Sequence, residues 1–162
     1  MTCSQIYYDG ETEFPALLKG CANEQMCGNE GRVSAEKIKY RFYTTCCKGD
    51  FCNRDEHRFP LKDLTPNGVK CPSCYSCNST EECVSTKEMN CTGSEALCFT
   101  YLGAMEMPDN TVMHYSMKGC SNNFTCQHHE ENEIGVTFLY GKGMSCYTPH
   151  NPPVPPKYTN GS

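Results

Sequence analysis

The sequence predicts an all-β, small disulfide-rich fold, on three observations. Fifteen cysteines in 162 residues exceed the density at which composition alone marks a disulfide scaffold. Hydrophobic residues make up only 38% of the chain and there is no tryptophan, so a large apolar core is not expected to hold it together. The cysteines also recur in order, which makes the chain two copies of one module.

The repeat is anchored by Lys19-Gly20-Cys21 and Lys118-Gly119-Cys120, each followed after five residues by a further cysteine, Cys27 or Cys126. One cysteine opens the stretch before each motif (Cys3, Cys98), and another follows at a similar interval (Cys46, Cys146). The copies differ in completeness. Cys71, Cys74, Cys77, Cys83 and Cys91 precede Cys98, whereas only Met1 and Thr2 precede Cys3. The first copy is therefore expected to be the C-terminal part of a module whose N-terminal half, with a secretion signal, lies upstream. Residues 1–56 form that first copy, 57–69 a linker with two prolines and an Asn-Gly turn, 70–148 the second copy, and 149–162 a proline-rich tail.

Strands are expected where aromatic and β-branched residues alternate: Ile38–Thr45, Val112–Met117, the stretch from Cys98 to Leu102, and Val136–Tyr140 ended by Gly141. Pro108-Asp109-Asn110 reads as a turn. Only Ser34–Lys37 hints at a helix, and it is too short to stand alone.

Composition also excludes function classes. The net charge of −5, with both signs mixed along the chain, argues against nucleic acid and anionic membrane as partners. No apolar run is long enough to span a bilayer, and the tail is polar, so no membrane anchor is expected. Cys71-x2-Cys74-x2-Cys77 invites an iron–sulfur or zinc reading, but Asn78–Glu82 intervenes before the next cysteine and no second clean pair follows. His128-His129-Glu130-Glu131 lacks the spacing of a catalytic zinc motif and reads as a solvated loop. No nucleophile has a motif around it, and bridged cysteines do not attack. The expectation is a protein that is not an enzyme and needs no metal or cofactor. Among the Asn-x-Ser/Thr triplets, Asn78 and Asn123 fall in expected loops and are the favoured glycosylation sites. Asn90 is less suited because Cys91 must enter a bridge, and Asn160 lies too near the chain end.

Cys46-Cys47-Lys48-Gly49-Asp50-Phe51-Cys52-Asn53, together with the opening Cys71-Pro72-Ser73-Cys74, resembles the Ly6/uPAR three-finger family. The pairing of a C-C-x4-C-N ending with a second copy that lacks it looks like the gamma-type phospholipase A2 inhibitors and, equally, the sodefrin precursor-like factors, which are salamander pheromone proteins. Asn67–Cys74 and Asn90–Glu95 also resemble the start of the second domain in those proteins.

Spacing by itself leaves the connectivity of the cysteines open. The resemblance implies Cys27–Cys46 and Cys47–Cys52 in the first copy, and Cys71–Cys98, Cys74–Cys83, Cys91–Cys120 and Cys126–Cys146 in the second. Cys3 and Cys21 match positions whose partners would lie upstream, and Cys77 matches none.

The resemblance further implies a secreted, extracellular binding protein, inhibitor-like toward secreted phospholipase A2. The alternatives are a courtship-pheromone ligand read by a chemosensory receptor and, further off, a receptor ectodomain. Candidate contacts are Phe59, Pro60, Leu61 and Leu64 of the linker, and Met105, Met107 and Met113 of a fingertip, since methionine-rich surfaces adapt to partners. The competing reading packs the linker between the domains and uses the methionines to fill gaps.

Overall fold

The computed structural model describes residues 2–10, 16–21, 23–54, 60–106, 110–128 and 137–149. Nine strands form the frame: β1 Thr2–Gly10, β2 Ala16–Cys21, β3 Glu30–Ala35, β4 Lys39–Lys48, β5 Pro66–Cys77, β6 Lys87–Thr92, β7 Leu97–Glu106, β8 Val112–Ser121 and β9 Thr137–Tyr147. One short helix, α1, covers Asn123–His128. The path of paired strands runs β2-β1-β4-β3-β8-β5-β6, and β7 lies between β8 and β9.

The repeat is visible in the strand register. Cys3 stands opposite Cys21 across β1–β2, as Cys98 stands opposite Cys120 across β7–β8. The residue after each opening cysteine faces the later cysteine of the third strand: Ser4 opposite Cys46, and Phe99 opposite Cys146. In both copies a central antiparallel strand is flanked by the same two partners.

Six bridges stitch the described residues: Cys27–Cys46, Cys47–Cys52, Cys71–Cys98, Cys74–Cys83, Cys91–Cys120 and Cys126–Cys146. They are the six pairs named above. Cys21 and Cys77 are free and exposed, while the side chain of Cys3 lies outside the described residues. Cys71, Cys91, Cys98 and Cys120 are fully buried and together form one of the two core clusters. Cys71, Cys91 and Cys120 stand close enough to resemble a metal ligand set, but all three sulfurs are spent in bridges.

The second cluster crosses between the copies. Ala35 of β3 packs with Phe99 and Tyr101 of β7, and Val33, Tyr115 and Met117 lean against them. The backbone makes the same join. One edge of β8 is occupied by β5 at Tyr115–Lys118 and then by β3 at Gly119–Ser121. Gly119 allows this approach, because a Cβ there would run into the carbonyl oxygen of Ser34. In the loop between β5 and β6, Glu82 ion-pairs with Lys142 at 2.7 Å and Lys118 at 3.5 Å, and the Lys142 hydrogen bond holds its carboxyl below the ordinary value.

The structure departs from the sequence reading in four places. Gly141 does not end its strand: β9 runs on to Tyr147, with irregular register against β7 between Leu102 and Gly103. Gly141 has φ +132° and lies against the Leu102 carbonyl, so it is a bulge residue within the strand. Ser34 and Ala35 belong to β3, and the chain merely turns at Glu36 and Lys37. β5 begins at Pro66, inside the stretch assigned to the linker.

Residues 123–128 form α1 where a loop was expected, because Asn122 caps it: its Oδ1 accepts from the Thr125 amide at 3.1 Å and hydroxyl at 2.8 Å. Asn123 thus opens a helix, with Thr125 buried. His128 closes that helix and packs on Phe124 with ring centroids 4.6 Å apart; His129, Glu130 and Glu131 lie outside the described residues. Asn78 sits exposed in a turn at φ +58°.

Replacing Cys91 and Cys120 together by alanine removes a bridge spanning 29 residues. Loop-closure entropy sets the expected loss at about 3.5 kcal/mol. Urea unfolding of the oxidised double variant against the parent checks it, with a drop below about 1 kcal/mol contradicting the bridge's role.

Candidate partner-binding surface at the seam between the copies

The seam is built on two arginines that β pairing forces together. Arg32 and Arg41 are directly opposite across β3–β4, and both are buried. Like charges in that position repel. Glu30 offsets this: its Oε1 bonds the Arg41 Nε and lies 4.0 Å from the Arg32 Nε. The guanidinium ends then reach the linker. Arg41 Nη2 donates to the carbonyls of Pro60 at 2.9 Å and Leu61 at 3.4 Å. Arg32 Nη2 donates to the Asp63 carbonyl at 2.9 Å and to Thr92 Oγ1 at 3.2 Å.

Side chains from the second copy complete the joint. Asn122 Nδ2 donates to the Glu30 carbonyl at 2.6 Å, and the Asn122 and Thr125 side-chain oxygens both accept from the Arg32 amide. Ser34 Oγ bonds Glu95 Oε1, while Glu95 Oε2 accepts from the Thr92 amide at 2.9 Å. A buried carboxylate is tolerated there because both oxygens have donors.

With its carbonyls clamped, the linker turns its side chains outward. Leu61 is 97% exposed and Leu64 54%, and Pro60 is exposed beside them. The linker backbone thus packs along the seam, with the Leu61 side chain standing in solvent and Leu64 more than half exposed at its edge. Phe59 and Met107 lie outside the described residues, as does the side chain of Met105. Met113 is half-buried, and its Sδ accepts from the Tyr115 hydroxyl at 3.0 Å. The structure does not bring the linker and the fingertip candidates into one described contact.

Beside the linker opens a cleft of about 190 Å³, lined among others by Arg32, Lys39, Arg41, Lys62, Leu64 and Glu95. The sequence reading missed all of these except Leu64. The basic residues are scattered along β3, β4 and the linker, and only the strand register and the clamp bring them together. No spacing signal could have found them.

The family model of the u-PAR/Ly-6 domain matches residues 2–55 and 67–151. The chain belongs to that family. Relatives include a gamma-type phospholipase A2 inhibitor from Elaphe climacophora, 32% identical over 95 residues, or 56% of this chain and 44% of the relative. Protein RoBo-1 of Rattus norvegicus is 35% identical over 81 residues, 50% of this chain and 32% of that one. Phospholipase A2 inhibitor PIP of Malayopython reticulatus is 28% identical over 128 residues, covering 73% and 60%. The chain thus matches less than two thirds of the length of each of these relatives. Among the described residues, no helix is long and apolar enough to cross a membrane.

Arg32→Ala strips the donors from the Asp63 carbonyl and Thr92 Oγ1. It should cost about 3 kcal/mol, since the lost bonds come from a buried charged donor. Chemical denaturation checks the loss, and faster hydrogen exchange at the Gly93 amide, which donates to Thr65 across this joint, shows where it acts.

The linker also carries a pH signature. The Thr65 amide donates to Asp63 Oδ1 at 2.9 Å and, with Arg32 nearby, holds the carboxyl below its ordinary value of 3.8. A depressed folded value means the turn's contribution is complete above the unfolded value and is lost as pH falls through the folded one. An NMR pH titration should find that Asp63 protonates below its ordinary value, and Asp63→Asn should abolish that step.

Proposed function

We propose that this chain is a secreted, non-enzymatic binding protein that inhibits a phospholipase A2 by covering part of its surface. Kinship with proteins named phospholipase A2 inhibitors supports the enzyme class. The observation that carries the mode of action is the clamped linker: Leu61 and Leu64 point into solvent from a backbone fixed by Arg41 and Arg32. Apolar side chains held outward on a fixed backbone lose little freedom when a partner covers them, so their burial converts efficiently into affinity. Six bridges in the described residues fit an oxidising, extracellular setting.

The test is inhibition of a panel of secreted phospholipases A2 by the refolded full chain at stoichiometric concentration. Leu61→Asp with Leu64→Asp should weaken inhibition about tenfold, because each substitution buries a charge at the contact. The disulfide map and circular dichroism should stay unchanged, since neither side chain packs in the core. Absence of inhibition across the panel would sink this reading and leave a signalling ligand of the pheromone kind as the better account.

A further inference from the structure

We propose that folding selects among the glycosylation triplets of this chain: Asn78 carries an N-linked oligosaccharide, and the seam withholds Asn90 and Asn123 from the same modification. The proposal rests on the secreted setting of the inhibitor reading, but not on its partner.

Transfer to an Asn-x-Ser/Thr triplet uses the asparagine carboxamide and the hydroxyl two residues on, so both must be open to the transferase. The Nδ2 nitrogen attacks C1 of an oligosaccharide carried on a lipid pyrophosphate. The C1–O bond breaks, the lipid pyrophosphate leaves with the electron pair, and Nδ2 gives one proton to a base of the transferase. The group added is bulky and polar, so its carrier must also stand on the surface.

Asn78, Asn90 and Asn123 are all exposed, so exposure does not separate them. The hydroxyls do. Thr125, two residues beyond Asn123, is buried; its Oγ1 donates to Asn122 Oδ1 at 2.8 Å and accepts from the Arg32 amide at 2.9 Å. Thr92, two beyond Asn90, donates to Glu95 Oε2 at 3.2 Å and accepts from Arg32 Nη2 at 3.2 Å. Cys91, the middle residue of that triplet, is buried in its bridge to Cys120. Both threonines thus bond the same arginine of β3, and closing the seam takes both triplets out of use.

Asn78 is the opposite case. Its left-handed φ of +58° is one that asparagine tolerates, and its backbone amide donates to the His114 carbonyl at 2.8 Å. Ser79 Oγ accepts from the Glu81 amide at 3.2 Å and holds the turn. Thr80 is exposed, and among the described residues no hydrogen bond engages its hydroxyl or the Asn78 carboxamide. This turn remains an acceptor after the strands have closed, whereas the seam triplets are acceptors only before. Asn160 lies outside the described residues.

The test expresses the full chain behind an added secretion leader in cultured animal cells. Chain from cells and medium together is treated with peptide N-glycosidase in heavy-oxygen water, so each formerly glycosylated asparagine reads as labelled aspartate by peptide mass spectrometry. Occupancy at Asn78 should exceed that at Asn90 and Asn123 by about tenfold, since the seam hydroxyls must first be opened. Thr80→Ala should abolish the label at Asn78 without altering that residue. Asn122→Ala, which strips the Thr125 hydroxyl of its acceptor and α1 of its cap, should raise occupancy at Asn123 severalfold and leave Asn78 unchanged. Mild reductant during synthesis delays the Cys91–Cys120 bridge and should raise Asn90 and Asn123 together.

An unlabelled Asn78, or Asn90 and Asn123 occupied as fully as Asn78 in the parent, overturns the proposal. Seam sites indifferent to both the Asn122 change and the reductant also overturn it, because local sequence rather than folding would then make the choice. The label at Asn78 without phospholipase inhibition leaves this proposal standing and the inhibitor reading fallen; inhibition by a chain unlabelled at Asn78 does the reverse.

Discussion

Two buried bridges lying side by side replace the hydrocarbon core that this chain is too polar to build. The Sγ atoms of Cys91 and Cys71 are 3.5 Å apart, and each belongs to a different bridge. They fasten β7 and β8 at opposed positions, Cys98 and Cys120, to β5 and β6. The chain therefore needs little apolar filling at this end: among the described residues the partly buried hydrophobics packed against it are Val69, Met89 and Tyr147, and burial raises the Tyr147 phenol above its ordinary value.

The lock also explains why the two copies meet as they do. β5 is held by Cys71 and Cys74, so it pairs β8 only over Cys74–Cys77. The rest of that β8 edge is left for β3, and Gly119 lets it come close. Once β3 is there, Arg32 faces Thr92 and the linker, and Ala35 drops onto Phe99 and Tyr101. Strand pairing, apolar contact and a polar clamp all join the same few residues. The joint behaves as part of the sheet, and the linker side chains above it inherit that stiffness.

Much of this was legible in the sequence wherever a covalent or periodic constraint wrote it. Alternation marked β4, β7, β8 and β9 but not the other five strands, and the repeated Lys-Gly-Cys spacing marked the modules whose registers prove equivalent. The pairing of the cysteines came from family likeness, since spacing alone allows many schemes. What stayed hidden depended on tertiary neighbours. Gly141 looks like a stop, yet the Leu102 carbonyl beside it makes it a bulge. Asn123 was expected in a loop, and it opens a helix because Asn122 beside it accepts from both the Thr125 and the Arg32 amides. Arg32 and Arg41 carry no motif; they matter because β3 and β4 pair in one register and not the next.

The same glycine of the repeat shows how a shared pattern diverges in use. Gly119 is covered by β3, whereas nothing lies within 4 Å of where a Cβ on Gly20 would stand. β2 is accordingly an edge of the described sheet, and exposed Cys21 ends it. An unpaired strand edge invites another chain. Lys19 limits that invitation: its Nζ donates to the Arg54 carbonyl at 2.9 Å and sets a charge beside the edge. Arg54 in turn stacks its guanidinium over Phe51, 4.9 Å from the ring centroid, next to the short Cys47–Cys52 bridge. Identical motifs thus act by what covers them: in the second copy the glycine admits a strand and creates the seam, and in the first it sits at an edge that a lysine guards.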